Sequence, residues 1–150
     1  MAQIYDPVAK LNELTKGIDF AMLTTVRSNG SLHSCPMATQ EVDSDGIIWF
    51  FSHVNTEKVE AIRFEPRVNL AYSDADGQQY VSISGKCELV REHVKARQIW
   101  KPVYETWFPK GIDDPNLILL KVYVQEADYW DASAGRMVPL PGFVNTSING

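Results

Sequence analysis

The chain has 150 residues, 45% of them hydrophobic and 22% charged, with a formal net charge of −5. That composition supports one sizeable core and gives no reason to divide the chain, so a single domain over residues 1–150 is expected. The acidic balance and scattered lysines and arginines supply no basic field for a nucleic acid, and no apolar run approaches the ~20 residues of a membrane span.

Met1 to Lys10 has neither a basic n-region nor an apolar h-region, so a soluble cytoplasmic protein is expected. Asp6 before Pro7 reads as an N-cap with proline in the first helical turn. Ile4, Val8, Leu11 and Leu14 then recur near the helical period until Gly17 stops it. Phe20 to Val26 follows as a strand. Ser28-Asn29-Gly30 is a hairpin turn, because Asn-Gly tolerates the positive φ such turns need, and Leu32 to Val42 is the antiparallel partner. Within that partner, Pro36 cannot donate to a sheet ladder, so it marks an edge, a bulge or a place where something other than a strand lies alongside. Asp45-Gly46 turns the chain into the next strand and completes a meander.

Ile47 to Phe51 is an unbroken apolar run too short for a globular helix, and reads as a strand buried on both faces. A helix follows at once, with Asn55 as N-cap, Glu57 and Glu60 in the first turns, Val59 and Ile62 as a small apolar stripe, and Pro66 as the stop. A helix start leaves backbone N–H groups without partners and carries partial positive charge, which suits an anion. Ser52, Asn55, Thr56 and Lys58 surround that start, so the join is a plausible cradle for a phosphate monoester. On these residues alone an ordinary capped surface helix with a solvated lysine is the commoner arrangement.

Arg67 to Ser73 is a further strand, and Asp74-Ala75-Asp76-Gly77 a turn. Gln79 to Val90 is a strand with Val81 and Ile83 on its core face and Gly85 as a candidate bulge. From Glu92 the period changes: Ala96, Ile99, Trp100, Val103 and Trp107 fall on one helical face, kinked at Pro102 and ended by Phe108-Pro109-Lys110-Gly111. Leu117 to Glu126 alternates with Ile118, Leu120, Val122 and Val124 on one face, and Asp128-Tyr129-Trp130-Asp131 continues or pairs with it. Met137 to Gly150 is expected to be an irregular tail. Some six strands joined mostly by hairpins, with three inserted helices, make an α+β domain built on an antiparallel barrel.

Cys35 and Cys87 show no Cys-x-x-Cys or Cys-His spacing, so reduced thiols are expected and no metal site is assigned. No Gly-x-Ser-x-Gly or comparable nucleophile motif occurs, and no catalytic side chain is assigned.

Phe50-Phe51-Ser52-His53, Thr56-x-Lys58 and Pro66-Arg67-Val68-Asn69-Leu70-Ala71-Tyr72 together resemble the FMN-binding split barrel of pyridoxamine 5′-phosphate oxidase-like proteins. The likeness continues through Val81-Ser82-Ile83-Ser84-Gly85, Trp107-Phe108-Pro109-Lys110-Gly111 and Asp113-Asp114-Pro115 to Tyr129-Trp130-Asp131. It is most similar to the general stress protein 26 branch and covers about residues 11–137. The resemblance implies a six-stranded split β-barrel with flanking helices, and a homodimer with FMN in the clefts between subunits. Phosphate contacts would fall on Ser52, Thr56 and Lys58. Phe50 and Phe51 would bring backbone and ring surface to the flavin, and Trp107 would approach from the other chain. Cys35-Pro36-Met37 stands where many relatives carry Arg-Pro-Met, so one positive contact is missing there, with Arg67 and Lys86 as possible compensations. The C-terminal part also lacks the arginine-rich substrate motif of true oxidases, so pyridoxal phosphate synthesis is not expected.

Binding at micromolar strength takes about 8 kcal/mol, of which a helix terminus contributes about 0.3 to 1. Burying roughly 200 Å² of flavin ring adds about 5 kcal/mol before association costs. An aromatic-lined cleft is therefore required, with Phe51, Trp107 and Trp130 as candidates. The implied activity is FMN-dependent oxidation or reduction of a small molecule. The alternatives are a flavin carrier or sensor without turnover, a barrel using deazaflavin or a haem held by His33, His53 or His93, and a barrel that binds nothing.

Overall fold

The computed structural model describes residues 4–143. The chain opens with α1 (Pro7–Thr15), where the Asp6 carboxylate accepts hydrogen bonds from the backbone N–H groups of Val8 and Ala9 at 3.0 and 3.3 Å. Leu11 seals its inner face, with no exposed surface.

The first hairpin joins β1 (Phe20–Val26) to β2 (Leu32–Ala38). Within this turn only Gly30 has positive φ, at 84°, while the Arg27 N–H donates to the Ser31 carbonyl at 2.9 Å. The turn is thus a three-residue loop closed by a left-handed glycine, not a tight Asn-Gly pair. β2 stops at Ala38, short of the expected Val42, which instead makes a single bridge to Ile48.

β3 (Ile47–His53) runs into α2 (Glu57–Phe64), followed by β4 (Arg67–Asp74) and β5 (Gln79–Val90). In the turn between β4 and β5 it is Gln78 that takes the positive φ, 51°. The expected bulge is present at Ser84/Gly85, where a side chain on Gly85 would collide with the Tyr123 carbonyl. α3 (His93–Ile99) ends before Pro102, which starts a separate 3-10 turn, Pro102–Thr106. A proline lacks the N–H that a continuous helix needs there, so the expected kinked helix is two pieces. Consequently Val103 and Trp107 stand exposed while Tyr104 takes the buried position. β6 (Leu117–Asp131) absorbs the Tyr129-Trp130 segment, and β7 (Arg136–Pro139) pairs with its end. The tail is therefore ordered at its start, and residues 144–150, including Asn145, lie outside the described residues.

All pairings are antiparallel, in the order β2-β1-β4-β5-β6-β3, with β7 added on β6. The expected meander from β2 to β3 is not formed. β3 crosses over to β6, so β2 and β3 are the two ends of the sheet. The sheet curls around a core that includes Leu23, Phe50, Leu70, Ile83 and Leu120. β3 also faces a second cluster on its other side, built from Ile47, Trp49 and Phe51 with Tyr104, Leu117 and Leu119. That double burial explains the unbroken apolar run of β3. Among the described residues no helix is long and apolar enough to cross a membrane.

Candidate functional site

The two end strands of the sheet enclose a cleft of about 250 Å³. β2 supplies Pro36, Met37 and Ala38, β3 supplies Phe50, Phe51, Ser52 and His53, and α2 with its cap supplies Thr56 and Lys58. Tyr104, Trp107 and Phe108 form the remaining wall, from the 3-10 turn and the residues after it. Pro36 lies on an end strand of the sheet, the first of the places the sequence allowed for a residue that cannot donate to a ladder.

The aromatic wall is organised on Phe51. Its ring meets Trp100 edge-on at 5.1 Å, Tyr104 at 5.5 Å and Phe108 at 6.3 Å between centroids. Such edge and tilted contacts add about 0.5–1.5 kcal/mol each beyond area burial, so the wall is stiff. Trp107 is half-exposed and lines this cleft. Trp130 lies elsewhere, edge-on to Tyr80, and does not line the cleft.

At the strand–helix join the N-cap of α2 is Thr56, not Asn55, and its side chain makes no capping bond to the helix. Instead the Thr56 and Ser52 hydroxyls each donate to the His53 carbonyl at 3.1 Å and lie 3.2 Å from one another. The first-turn N–H groups are left without a side-chain cap, beside two hydroxyls with free lone pairs and a lysine. Glu57, the nearest carboxylate in sequence, is drawn away by Arg27 at 2.6 Å and His33 at 3.6 Å. Lys58 has no ion-pair partner among the described residues, so its charge is available to the cleft.

Eight of the nine residues singled out in the sequence thus come together: Pro36, Met37, Phe50, Phe51, Ser52, Thr56, Lys58 and Trp107. Cys35 does not line the cleft. Its half-buried side chain packs against the barrel core, where burial pushes the thiol up, the neighbouring Lys58 pulls it down and Glu57 pushes it further. The proposed substitutes for the missing arginine are also elsewhere: Arg67 is bound to Glu65 at 2.8 Å, and neither it nor Lys86 lines the cleft. Lys58 is the one lysine or arginine among the lining residues.

Sequence reasoning missed Tyr104, Gln40, Phe108 and the placement of His53. Tyr104 was masked by the assumption of a continuous helix, and its hydroxyl donates to the Gln40 side chain at 3.0 Å, pinning the wall to the segment after β2. His53 stands at the end of β3 with Phe108 edge-on at 5.0 Å and the buried Asp114 carboxylate 3.5 Å from its Nε2.

An antiparallel barrel left open between its end strands, with a capless helix start and an aromatic wall at the opening, defines a split-barrel protein. The family model for pyridoxamine 5′-phosphate oxidase-like proteins matches residues 6–150. The chain belongs to that family. Among solved structures, a protein related to general stress protein 26 from Clostridium acetobutylicum is 20% identical with a TM-score of 0.76, over 91% of this chain and 95% of that one. General stress protein 26 from Bacillus anthracis is 18% identical with a TM-score of 0.72, over 91% and 100%. A heme binding protein from Mycobacterium smegmatis is 14% identical with a TM-score of 0.66, over 93% of this chain and 59% of that one. At these identities the likeness is one of fold. No curated protein matches the sequence.

Proposed function

We propose that the chain binds FMN in the cleft between β2 and β3, as a homodimer, and acts as an oxidoreductase on a small molecule in the cytoplasm, in the manner of general stress proteins. The observation that carries this reading is the coincidence, at one opening, of an uncapped helix start beside Ser52, Thr56 and Lys58 with a wall of Phe51, Tyr104, Trp107 and Phe108. The first suits a phosphate and the second a flat ring system. Bound there, FMN would supply hydride and electron chemistry, while these residues hold its phosphate, stack on its rings and exclude water.

A second copy is part of the reading for two reasons. Ligand pockets commonly enclose about 300–1,000 Å³, and a cleft of about 250 Å³ falls below that range, so one chain provides part of the enclosure. The outer face of the sheet beside the cleft also carries rows without charge from β2 to β5. One row is Pro36, Met22, Ala71 and Ser82, and the next is Ser34, Thr24, Asn69 and Ser84. Phe20 and Met22 are 54% and 42% exposed on this face, and Phe20 and Pro36 also line the cleft. A partner seated on those rows would close the opening.

Titration of Lys58→Ala with FMN tests the phosphate assignment. A tenfold or greater loss of affinity, about 1.4 kcal/mol, is expected, and wild-type affinity would count against it. Turnover is tested separately, by reduction of the bound flavin with NADH or NADPH and reoxidation by an acceptor panel. Saturable FMN binding with no turnover on any acceptor would favour the carrier or sensor reading. Haem is the second ligand with an observation behind it, since one fold relative is a heme binding protein and His53 lines the cleft, whereas His33 is engaged with Glu57.

A further inference from the structure

The polar groups lining the aromatic cleft fall into two sets. Ser52, His53, Thr56 and Lys58 gather at the strand–helix join, whereas Gln40 and Tyr104 come from the segment after β2 and the 3-10 turn. The separation runs along β2. The start of α2 lies against the early part of that strand, where His33 is 3.6 Å from Glu57 and Lys58 neighbours Cys35. Ala38 is about 10 Å further along in extended backbone than Cys35. The Thr39 N–H then donates to the Asp19 carbonyl at 2.9 Å, which holds the chain beside β1, and Gln40 follows. Pro36, Met37 and Ala38, between the two sets in the chain, give the cleft an apolar middle.

The two sets differ in charge as well as in place. The join carries Lys58, no aspartate or glutamate lines the cleft among the described residues, and the far set is an amide and a phenol. Tyr104 is held fast: it is 6% exposed, its ring centroid lies 5.5 Å from Phe51 and 5.6 Å from Trp100, and its hydroxyl donates to the Gln40 Oε1 at 3.0 Å. Gln40 in turn donates from Nε2 to the Ala38 carbonyl at 3.3 Å. A primary amide has two N–H donors and two carbonyl lone pairs, so one of each stays open among the described residues. Gln40 is half-buried and also borders a polar cavity against α1, so water reaches the amide until a ligand covers it.

From this two-ended layout we propose that Gln40, anchored by Tyr104, is the specificity-determining residue of the cleft and reads the edge of the bound ring system. The inference rests on the flavin reading above and deepens it. The edge that fits is neutral and presents N–H and C=O groups side by side, as the imide edge of a flavin does, while the phosphate of FMN meets Lys58 at the other end. A ring that covers Gln40 without such an edge leaves its open N–H and oxygen buried and unsatisfied, a cost that a matched ring avoids. Haem is such a mismatch, since its ring edge has no N–H or C=O and its paired carboxylates would meet a single lysine.

The test compares FMN with its N3-methyl derivative, which has lost the imide N–H, by titration of the same protein under flavin fluorescence. Wild type is expected to bind 3-methyl-FMN more weakly than FMN by roughly tenfold or more, about 1.4 kcal/mol. Gln40→Met, close in volume but without the amide, should weaken FMN by a similar factor and bind the two flavins within about twofold of one another. Tyr104→Phe keeps the ring contacts and should narrow the discrimination, and a ratio as wide as wild type would overturn the anchoring. Equal binding of the two flavins by the wild type, or the wild-type ratio preserved in Gln40→Met, overturns the edge-reading role while leaving FMN in the cleft. The wild-type arm needs no variant, so it decides the matter even where Gln40→Met does not fold. Failure of the wild-type chain to bind FMN overturns the flavin reading and this role with it.

Discussion

β2 and β3 sit at opposite ends of one sheet and meet across one cleft, yet they are built on opposite rules. β3 is buried from Ile47 through Ser52, locked between the barrel core and the Phe51 aromatic cluster. β2 alternates, with Leu32, Ser34 and Pro36 facing outward and uncharged. A strand packed on both sides holds its side chains and the helix it feeds in one position. A strand with one bare, uncharged face invites a neighbour, which is the usual hazard of an edge. The fixed half of the site thus comes from β3, and the exposed half from β2.

The largest effect expected from breaking this division is on β3. Phe50→Ala removes a ring that is 2% exposed in the barrel core, and should lower unfolding stability by about 3–5 kcal/mol in chemical denaturation. High pH should loosen the same core more gradually. Burial pushes the Cys87 thiol up to about 12 and also raises the Tyr72 phenol. For Cys87 the folded value lies above the unfolded one, so its contribution is whole below about pH 8.5 and is lost as pH rises through about 12. Denaturation midpoints should therefore fall from pH 8.5 upward, at up to about 1.4 kcal/mol per pH unit from this group, and Cys87→Ala should flatten the slope.

On the open side the effects should be on assembly. Met22→Lys places a charge in the middle of the uncharged rows, and sedimentation should show a shift from dimer to monomer together with at least tenfold weaker FMN binding. Dimers of wild-type strength in that variant would move the interface elsewhere. The smallest change is expected from Leu32→Ala, at 70% exposure near the end of β2, which should stay within about 0.5 kcal/mol of wild-type stability.

Local pattern carried the sequence reading where local pattern decides the structure. The Asp6 cap and the alternation of Gln79–Val90 are set by neighbours a few residues away, and the bulge at Gly85 was announced by the glycine itself although it forms against distant β6. The crossover of β3 to β6 was not legible, because the Ile47-Phe51 run says only that both faces are covered and not by which strands. β7 was hidden by its four-residue length and its closing proline. At the site, the strand–helix join was readable because Ser52, Thr56 and Lys58 lie in one continuous stretch. The contact of His53 with Asp114 and the bond of Tyr104 to Gln40 join distant segments, and no spacing rule announces them.

Titrating the wild-type chain with FMN while following flavin fluorescence tests the central claim most directly. The account predicts saturable quenching at micromolar or tighter affinity, with one FMN taken up per chain in a dimeric protein. Fluorescence that stays unquenched with the chain in large excess would contradict it.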